Sequence, residues 1–304
     1  MKIAIIGSGI SGLTAAWLLH QSHEITVFEA NDYIGGHTHT IDVDVDGEQL
    51  AIDTGFIVYN DWTYPNFIQM LDRLGVGSLA TEMSFSVRCE RSRIEYNGSN
   101  LNGLFAQRSN LLKPRFHRML QDILRFNREA VELLEADHDS LTVDEYVAQR
   151  GYSKQFSDLY LIPMGAAIWS CPPDTFGKFP VRFIVEFYRN HGLLSIRNRP
   201  QWRVISGGSK RYVEKLIAPF DDRIRLNSPV ETIVRGEAGV TIRATGSEDE
   251  RFDHAIFACH SDQALKILGD TATMTERNVL TEFPYQKNSA VLHWDDSVLP
   301  QRRR

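Results

Sequence analysis

Apolar positions come in two textures along this chain. Near the amino end they form short unbroken runs, in Lys2-Ile-Ala-Ile-Ile6 and again in Glu24-Ile-Thr-Val-Phe-Glu29. Short isoleucine- and valine-rich runs predict parallel strands buried on both faces. Between them, 11–20 is apolar and alanine-rich with no breaker after Gly12, which predicts a helix. Strand, turn, helix and strand over 2–29 make one βαβ unit.

Helical spacing takes over further on. Phe67, Ile68, Met70, Leu71 and Leu74 predict a helix within 62–75, stopped by Gly75. Pro114 opens a long helical pattern in which Phe116, Met119, Leu120, Ile123, Leu124, Ala130, Val131 and Leu134 recur mostly three and four apart. Thr142 and Glu145 have capping-box spacing, and Gly151 suits a position just past a helix end, so 143–150 reads as a short helix. Residues 80–200 therefore read as largely helical, with aromatic-rich connections. After Gly207-Gly208 the strand texture returns. A helix is predicted over 212–217, and strands over 223–226, 230–234, 240–244 and 255–258. The simplest map is a discontinuous domain, 1–78 and 203–283, interrupted by a second domain, 79–202, which 284–304 rejoins.

Composition narrows the class. With 304 residues, 42% hydrophobic and 24% charged, the chain has a globular make-up and is too long for one ordinary core. A formal charge of −6 argues against a dedicated nucleic-acid binder. Cys89, Cys171 and Cys259 are far apart and odd in number, which excludes a disulfide framework and fits a cytoplasmic protein. No run approaches the roughly 18 apolar residues of a membrane span, so membrane contact is expected to be peripheral at most.

The chemistry starts at the first turn. Gly7-Ser8-Gly9-Ile10-Ser11-Gly12 has GxGxxG spacing, follows a predicted strand and opens a predicted helix. The first glycine permits the tight turn. The second lets a diphosphate approach the backbone, and the third lets helix and strand pack closely. Glu29 lies about 20 residues on, where a carboxylate can hold an adenosine ribose. A second pair, Gly35-Gly36, and then Asp53-Thr-Gly55 follow. Plain nicotinamide binding gives these later glycines no reason, so the ordered set points to FAD. A nicotinamide-dependent dehydrogenase and a non-catalytic dinucleotide module stay open as alternatives.

On these pieces, with Val204-Ile-Ser-Gly207-Gly208-Ser-Lys-Arg-Tyr, Tyr160-Leu-Ile-Pro-Met-Gly-Ala-Ala-Ile-Trp169 and an expected strand Ser289-Ala-Val-Leu-His293, the sequence resembles the flavin-containing amine oxidase superfamily. That group also holds protoporphyrinogen oxidases and carotenoid desaturases. The resemblance implies an α/β fold: a Rossmann-like FAD-binding domain with an inserted, largely helical substrate domain. It implies FAD-dependent removal of hydride from an amine-like or lipid-like small molecule. By position, Gly7, Ser8, Gly9, Ile10, Ser11 and Gly12 would hold the diphosphate and Glu29 the ribose. Gly35 belongs to the second glycine pair, and Gly36, His37 and Thr38 would follow the diphosphate and ribityl chain. Gly55, Phe56, Ile57 and Val58 would pass the isoalloxazine, Val230 would meet the adenine, and Ala258 would end a strand near the cofactor.

Three departures qualify this picture. Tyr33 and His37 stand where many relatives carry arginine. Asn288 falls where several amine oxidases carry a water-holding lysine; asparagine can hydrogen-bond but cannot act as a base, and Lys287 would point to the other strand face. The late glycine-acid segment that closes the family fold is not reached before Arg304, so a truncated chain is expected. The substrate, electron acceptor and oligomeric state stay open.

Other residues have ordinary readings. His37 and His39 lack the further ligands of a zinc site, so no metal is expected. Trp169, Phe183, Phe187, Tyr188 and Trp202 are core candidates first and cavity lining second. Cys171 reads as an inert thiol. Arg115, Arg118, Arg125 and Arg128 read as a solvated helix face with Asp122 and Glu129, rather than as a lipid-headgroup site.

Overall fold

The amino-terminal runs do form parallel strands. Lys2–Ile6 (β1) and Glu24–Phe28 (β2) are joined by helix Ile10–Leu19 (α1). The computed structural model describes residues 1–135 and 141–301. β1 sits inside a four-stranded parallel sheet, flanked by β2 and by His254–Phe257, with Ile224–Arg225 beyond β2. Ala4, Ile5 and Val27 are fully buried, as a parallel sheet covered on both faces requires.

Two compact units result. One comprises Met1–Val58, Asn66–Leu79 and Val204–Ala290; the other comprises Tyr59–Pro65, Ala80–Arg203 and the residues from Val291 onward. The first also holds an antiparallel sheet of Val230–Gly236, Gly239–Ala244 and Glu250–Phe252, and a hairpin of Thr40–Val45 with Glu48–Asp53. The second is mainly helical. Its core gathers Phe126, Tyr146, Phe156, Met164, Phe176, Ile184 and Tyr188, among others.

Helix boundaries follow local chemistry. Pro65–Leu74 ends at Gly75, which takes a positive φ of 64°. Val143–Gln149 carries the expected capping box, with the Thr142 hydroxyl accepting from the Glu145 N–H and the Glu145 carboxylate accepting from the Thr142 N–H.

Three expectations need correction. The long helix is Pro114–Glu129 only; the chain tightens at Ala130, where Leu133 and Leu134 donate three residues back, and Glu132–Glu135 forms a separate turn. Residues 80–200 also hold a hairpin, Ser86–Cys89 with Ile94–Asn97. Its turn carries charged Glu90, Arg91 and Arg93 and lacks glycine, so the usual hairpin mark is absent from the sequence. Finally, 289–293 forms no strand. No partner ladder exists for it among the described residues, and Val291 and Trp294 are 75% and 98% exposed.

Candidate functional site

The three glycines of the first turn do three different jobs. Gly7 adopts φ +105°, and a Cβ there would lie 2.7 Å from the Ala258 carbonyl oxygen. A Cβ on Gly12 would lie 2.0 Å from the Gly7 carbonyl oxygen. Both glycines are demanded by the fold itself. Gly9, the N-cap of α1, is different: its φ of −69° suits any residue, and a Cβ would meet nothing within 4 Å. The protein leaves space there.

That space lies at a helix N-terminus. The first-turn N–H groups of α1 have no intrahelical acceptor, and the turn carries no acidic side chain to compete for them. The second glycine pair folds back onto the same point. Gly35 donates its N–H to the Ser8 carbonyl at 3.0 Å and bridges Gly9, and a Cβ on Gly36 would sit 3.1 Å from the Gly9 Cα. An anion held there would meet backbone from both segments.

Glu29 closes the far side. Its carboxylate accepts from the Ser8 N–H at 2.9 Å, the Ser8 hydroxyl at 2.5 Å and the Asn31 N–H at 2.8 Å. A carboxylate offers about four acceptor sites, so one more donor can be taken. Ser8 is thus spent on orienting Glu29.

A second polar cluster fixes the later glycines. A Cβ on Gly55 would strike the His37 carbonyl oxygen at 2.1 Å, and the Phe56 N–H donates to that same oxygen. Asp53 accepts from the Ser209 N–H, the Ser209 hydroxyl and the Thr40 hydroxyl. The Asp53 carboxylate therefore caps helix Lys210–Ile217, just after Gly207-Gly208. Thr38 hydrogen-bonds the Tyr212 phenol. Burial is the main cause that raises the Tyr212 pKa, so it stays a protonated donor or acceptor. Phe56 packs on Phe67, whereas Ile57 is half exposed.

The remaining sequence-predicted positions differ in character. Ser8 and Thr38 are buried and hold neighbouring groups. Val230 is buried at the start of its strand, beside Ala244. Ala258 donates its N–H to Ile6 at the end of the parallel sheet and abuts Gly12. His37 is exposed and stacks on His260, 5.6 Å away, which stacks in turn on Tyr285 at 4.4 Å. Asn288 is exposed in irregular backbone, not on the expected strand, and its partner is Gln286.

Sequence reasoning did not single out Asp53, Thr40, Ser209, Tyr212 or His260. Asp53 and Ser209 were marked only by adjacency to Gly55 and to Gly207-Gly208. His260 carried no signal.

The aromatic candidates join one array. Trp169 contacts Phe183, Phe187 and Tyr188, and His191 lies stacked between Phe187 and Trp202. Tyr188 is fully buried core, while Phe183 is half exposed. Burial pushes the Cys171 thiol up, which keeps it protonated. Arg118, Arg125 and Arg128 pair with Asp122 or Glu129.

A glycine-lined βαβ turn with an acid at the end of the second strand and a second glycine pair defines the class. The chain belongs to the flavin containing amine oxidoreductase family, whose profile matches residues 10–299. The family's cofactor is FAD. The chain is 26% identical over 267 residues to the Mycobacterium tuberculosis protein AofH, named as a flavin-containing monoamine oxidase; the match covers 82% of this chain and 55% of that protein. It is 24% identical over 296 residues to bovine flavin-containing amine oxidase A, covering 92% and 53%. Among solved structures, cyclohexylamine oxidase from Brevibacterium oxydans shares the fold, with a TM-score of 0.68 at 21% identity, over 92% of this chain and 62% of that one. The chain spans about half the length of the curated relatives it matches.

Proposed function

We propose that this chain holds FAD and that the protein oxidises an amine-like or lipid-like small molecule by hydride removal. The open space at Gly9 carries the reading. The flanking glycines are excluded from bearing a side chain by the protein's own backbone, whereas the room beside Gly9 is filled by nothing in the protein, which supports a ligand there.

On this reading, Gly7–Gly12 backbone and the Gly35-Gly36 turn cradle the diphosphate, and Glu29 accepts from the adenosine ribose. His37 and Thr38 follow the chain of the cofactor, and 55–58 edge its ring. Val230 meets the adenine, and Ala258 closes the strand end. Bound FAD would supply the hydride acceptor, which leaves the protein to orient substrate and exclude water. We assign no catalytic side chain. Asn288 can hold a water by hydrogen bonding but takes no proton, and its exposed setting supports no further role.

The three free cysteines suit the reducing cytoplasm to which we assign the protein. No helix among the described residues is long and apolar enough to cross a membrane.

Reconstitution tests the reading. The purified chain is mixed with FAD, passed through a desalting column, and its absorbance spectrum recorded. Retained flavin is the expected result. A folded chain that retains NADH but no flavin would overturn it.

A further inference from the structure

The segment between the hairpin of the second unit and helix Pro114–Glu129 carries an unusual combination of charge and exposure. From Tyr96 to Gln121 the sequence holds Arg108, Lys113, Arg115 and Arg118 and no acidic residue, in a chain whose net charge is −6. Between the hairpin and helix Pro114–Glu129 it folds as two short helices, Leu101–Leu104 and Arg108–Leu112. Three leucines at their ends point outward: Leu101 is 76% exposed, Leu111 49% and Leu112 87%.

This surface is built rather than loose. Asn110 is fully buried; its side-chain amide donates to the Glu95 carbonyl at 3.1 Å, and its side-chain oxygen accepts from Lys113. Gln107 accepts from the Glu95 N–H and donates to the Arg93 carbonyl. His117 bonds the Leu111 carbonyl through Nε2 at 2.8 Å. Leu104 and Phe105 turn inward onto the cluster around Phe116 and Met119. The same short helices therefore bury one set of apolar side chains and hold another rigidly in solvent.

The charges around the leucines are available. Arg108 bonds Asn102 and Lys113 bonds Asn110, both neutral. Arg115 has no acidic partner among the described residues. The nearest acids are engaged elsewhere: Glu95 with Arg88, and Asp122 with Arg118 and Arg125. We propose that this leucine-tipped, cationic surface docks the protein on an anionic lipid bilayer. Leucines projecting beside lysine and arginine can enter the acyl boundary while the cations meet phosphate headgroups. A protein partner would instead favour aromatic anchors, which the tips lack. Of the arginine face of helix Pro114–Glu129 only Arg115 belongs to this surface, contrary to its reading as purely solvated; Arg118, Arg125 and Arg128, paired with Asp122 or Glu129, play no part. The surface belongs to the second unit and the glycine cradle to the first, so this proposal does not rest on the FAD reading.

Vesicle sedimentation tests it. The purified chain is mixed with vesicles of phosphatidylcholine alone, or of equal parts phosphatidylcholine and phosphatidylglycerol. Wild type is expected to pellet with the anionic vesicles only, and less so as salt rises. The double variant Leu111→Ser/Leu112→Ser and the triple variant Arg108→Gln/Lys113→Gln/Arg115→Gln should each lose at least about tenfold in partitioning, with wild-type melting curves. Three results would each overturn it: wild type staying in the supernatant with anionic vesicles, the leucine variant pelleting like wild type, or the leucine pair controlling self-association in solution instead.

Discussion

At Gly12 and at Gly165 alike, an added Cβ would lie 2.0 Å from another heavy atom. In the first unit the atom struck is the Gly7 carbonyl oxygen; in the second it is the Phe176 ring. The difference separates the two regions. A backbone oxygen fixed by a parallel sheet cannot step aside. A side chain can be replaced. The glycine cradle is thus dictated by main-chain geometry, and the helical unit by how its aromatic side chains interdigitate.

The largest effect should come from breaking the first case. Gly12→Ala is expected to cost about 4 kcal/mol or more and leave little folded protein, measured by urea unfolding and soluble yield. No neighbouring side-chain change should restore it. Gly165→Ala should cost about 1–3 kcal/mol by overpacking. Here Phe176→Leu should recover part of the loss, with a coupling of roughly 1 kcal/mol in a double-mutant cycle. Additive effects would mean that Phe176 is not what Gly165 accommodates.

Asp53→Ala sharpens the comparison within the first unit. It strips the acceptor from the Ser209 N–H and hydroxyl and from Thr40, and should cost about 2 kcal/mol in unfolding free energy. A change indistinguishable from zero would deny that this carboxylate fixes the Gly207-Gly208 turn.

The smallest effect is a pH dependence. Glu276 is held down to about 2 by the Arg235 guanidinium first, and then by the N–H and hydroxyl of Thr273. A carboxylate depressed in the folded state contributes stability above its unfolded pKa. That contribution is lost as pH falls from about 4.5 towards about 2. Glu276→Gln should flatten the stability profile over that window and leave its shape above it unchanged. Equal slopes for the two proteins would contradict this.

Legibility in the sequence follows the same division. The βαβ unit, the helix Pro65–Leu74 with its stop at Gly75 and the capping box at Thr142 were readable because each rests on short-range backbone rules. The hairpin at Ser86–Cys89 was hidden by a charged turn. The end of the long helix at Ala130 was hidden because Ala130 and Leu133 are still buried beyond it, so the apolar periodicity outlasts the helix. Within the candidate site, Gly7 and Gly12 announce themselves. Asp53, Ser209 and Tyr212 act across long sequence separations, where spacing carries no information. The strand expected at 289–293 shows the converse: an apolar pattern is not enough when no ladder partner lies alongside.

The central claim is that the room at Gly9 belongs to the FAD diphosphate. The most direct measurement is the FAD affinity of wild type and Gly9→Val, taken with their urea unfolding curves. The account predicts that Gly9→Val keeps its stability to within about 1 kcal/mol, because its backbone angles and surroundings admit a side chain. It also predicts a loss of FAD affinity of at least about 100-fold. A Gly9→Val protein that binds FAD as tightly as wild type would contradict it.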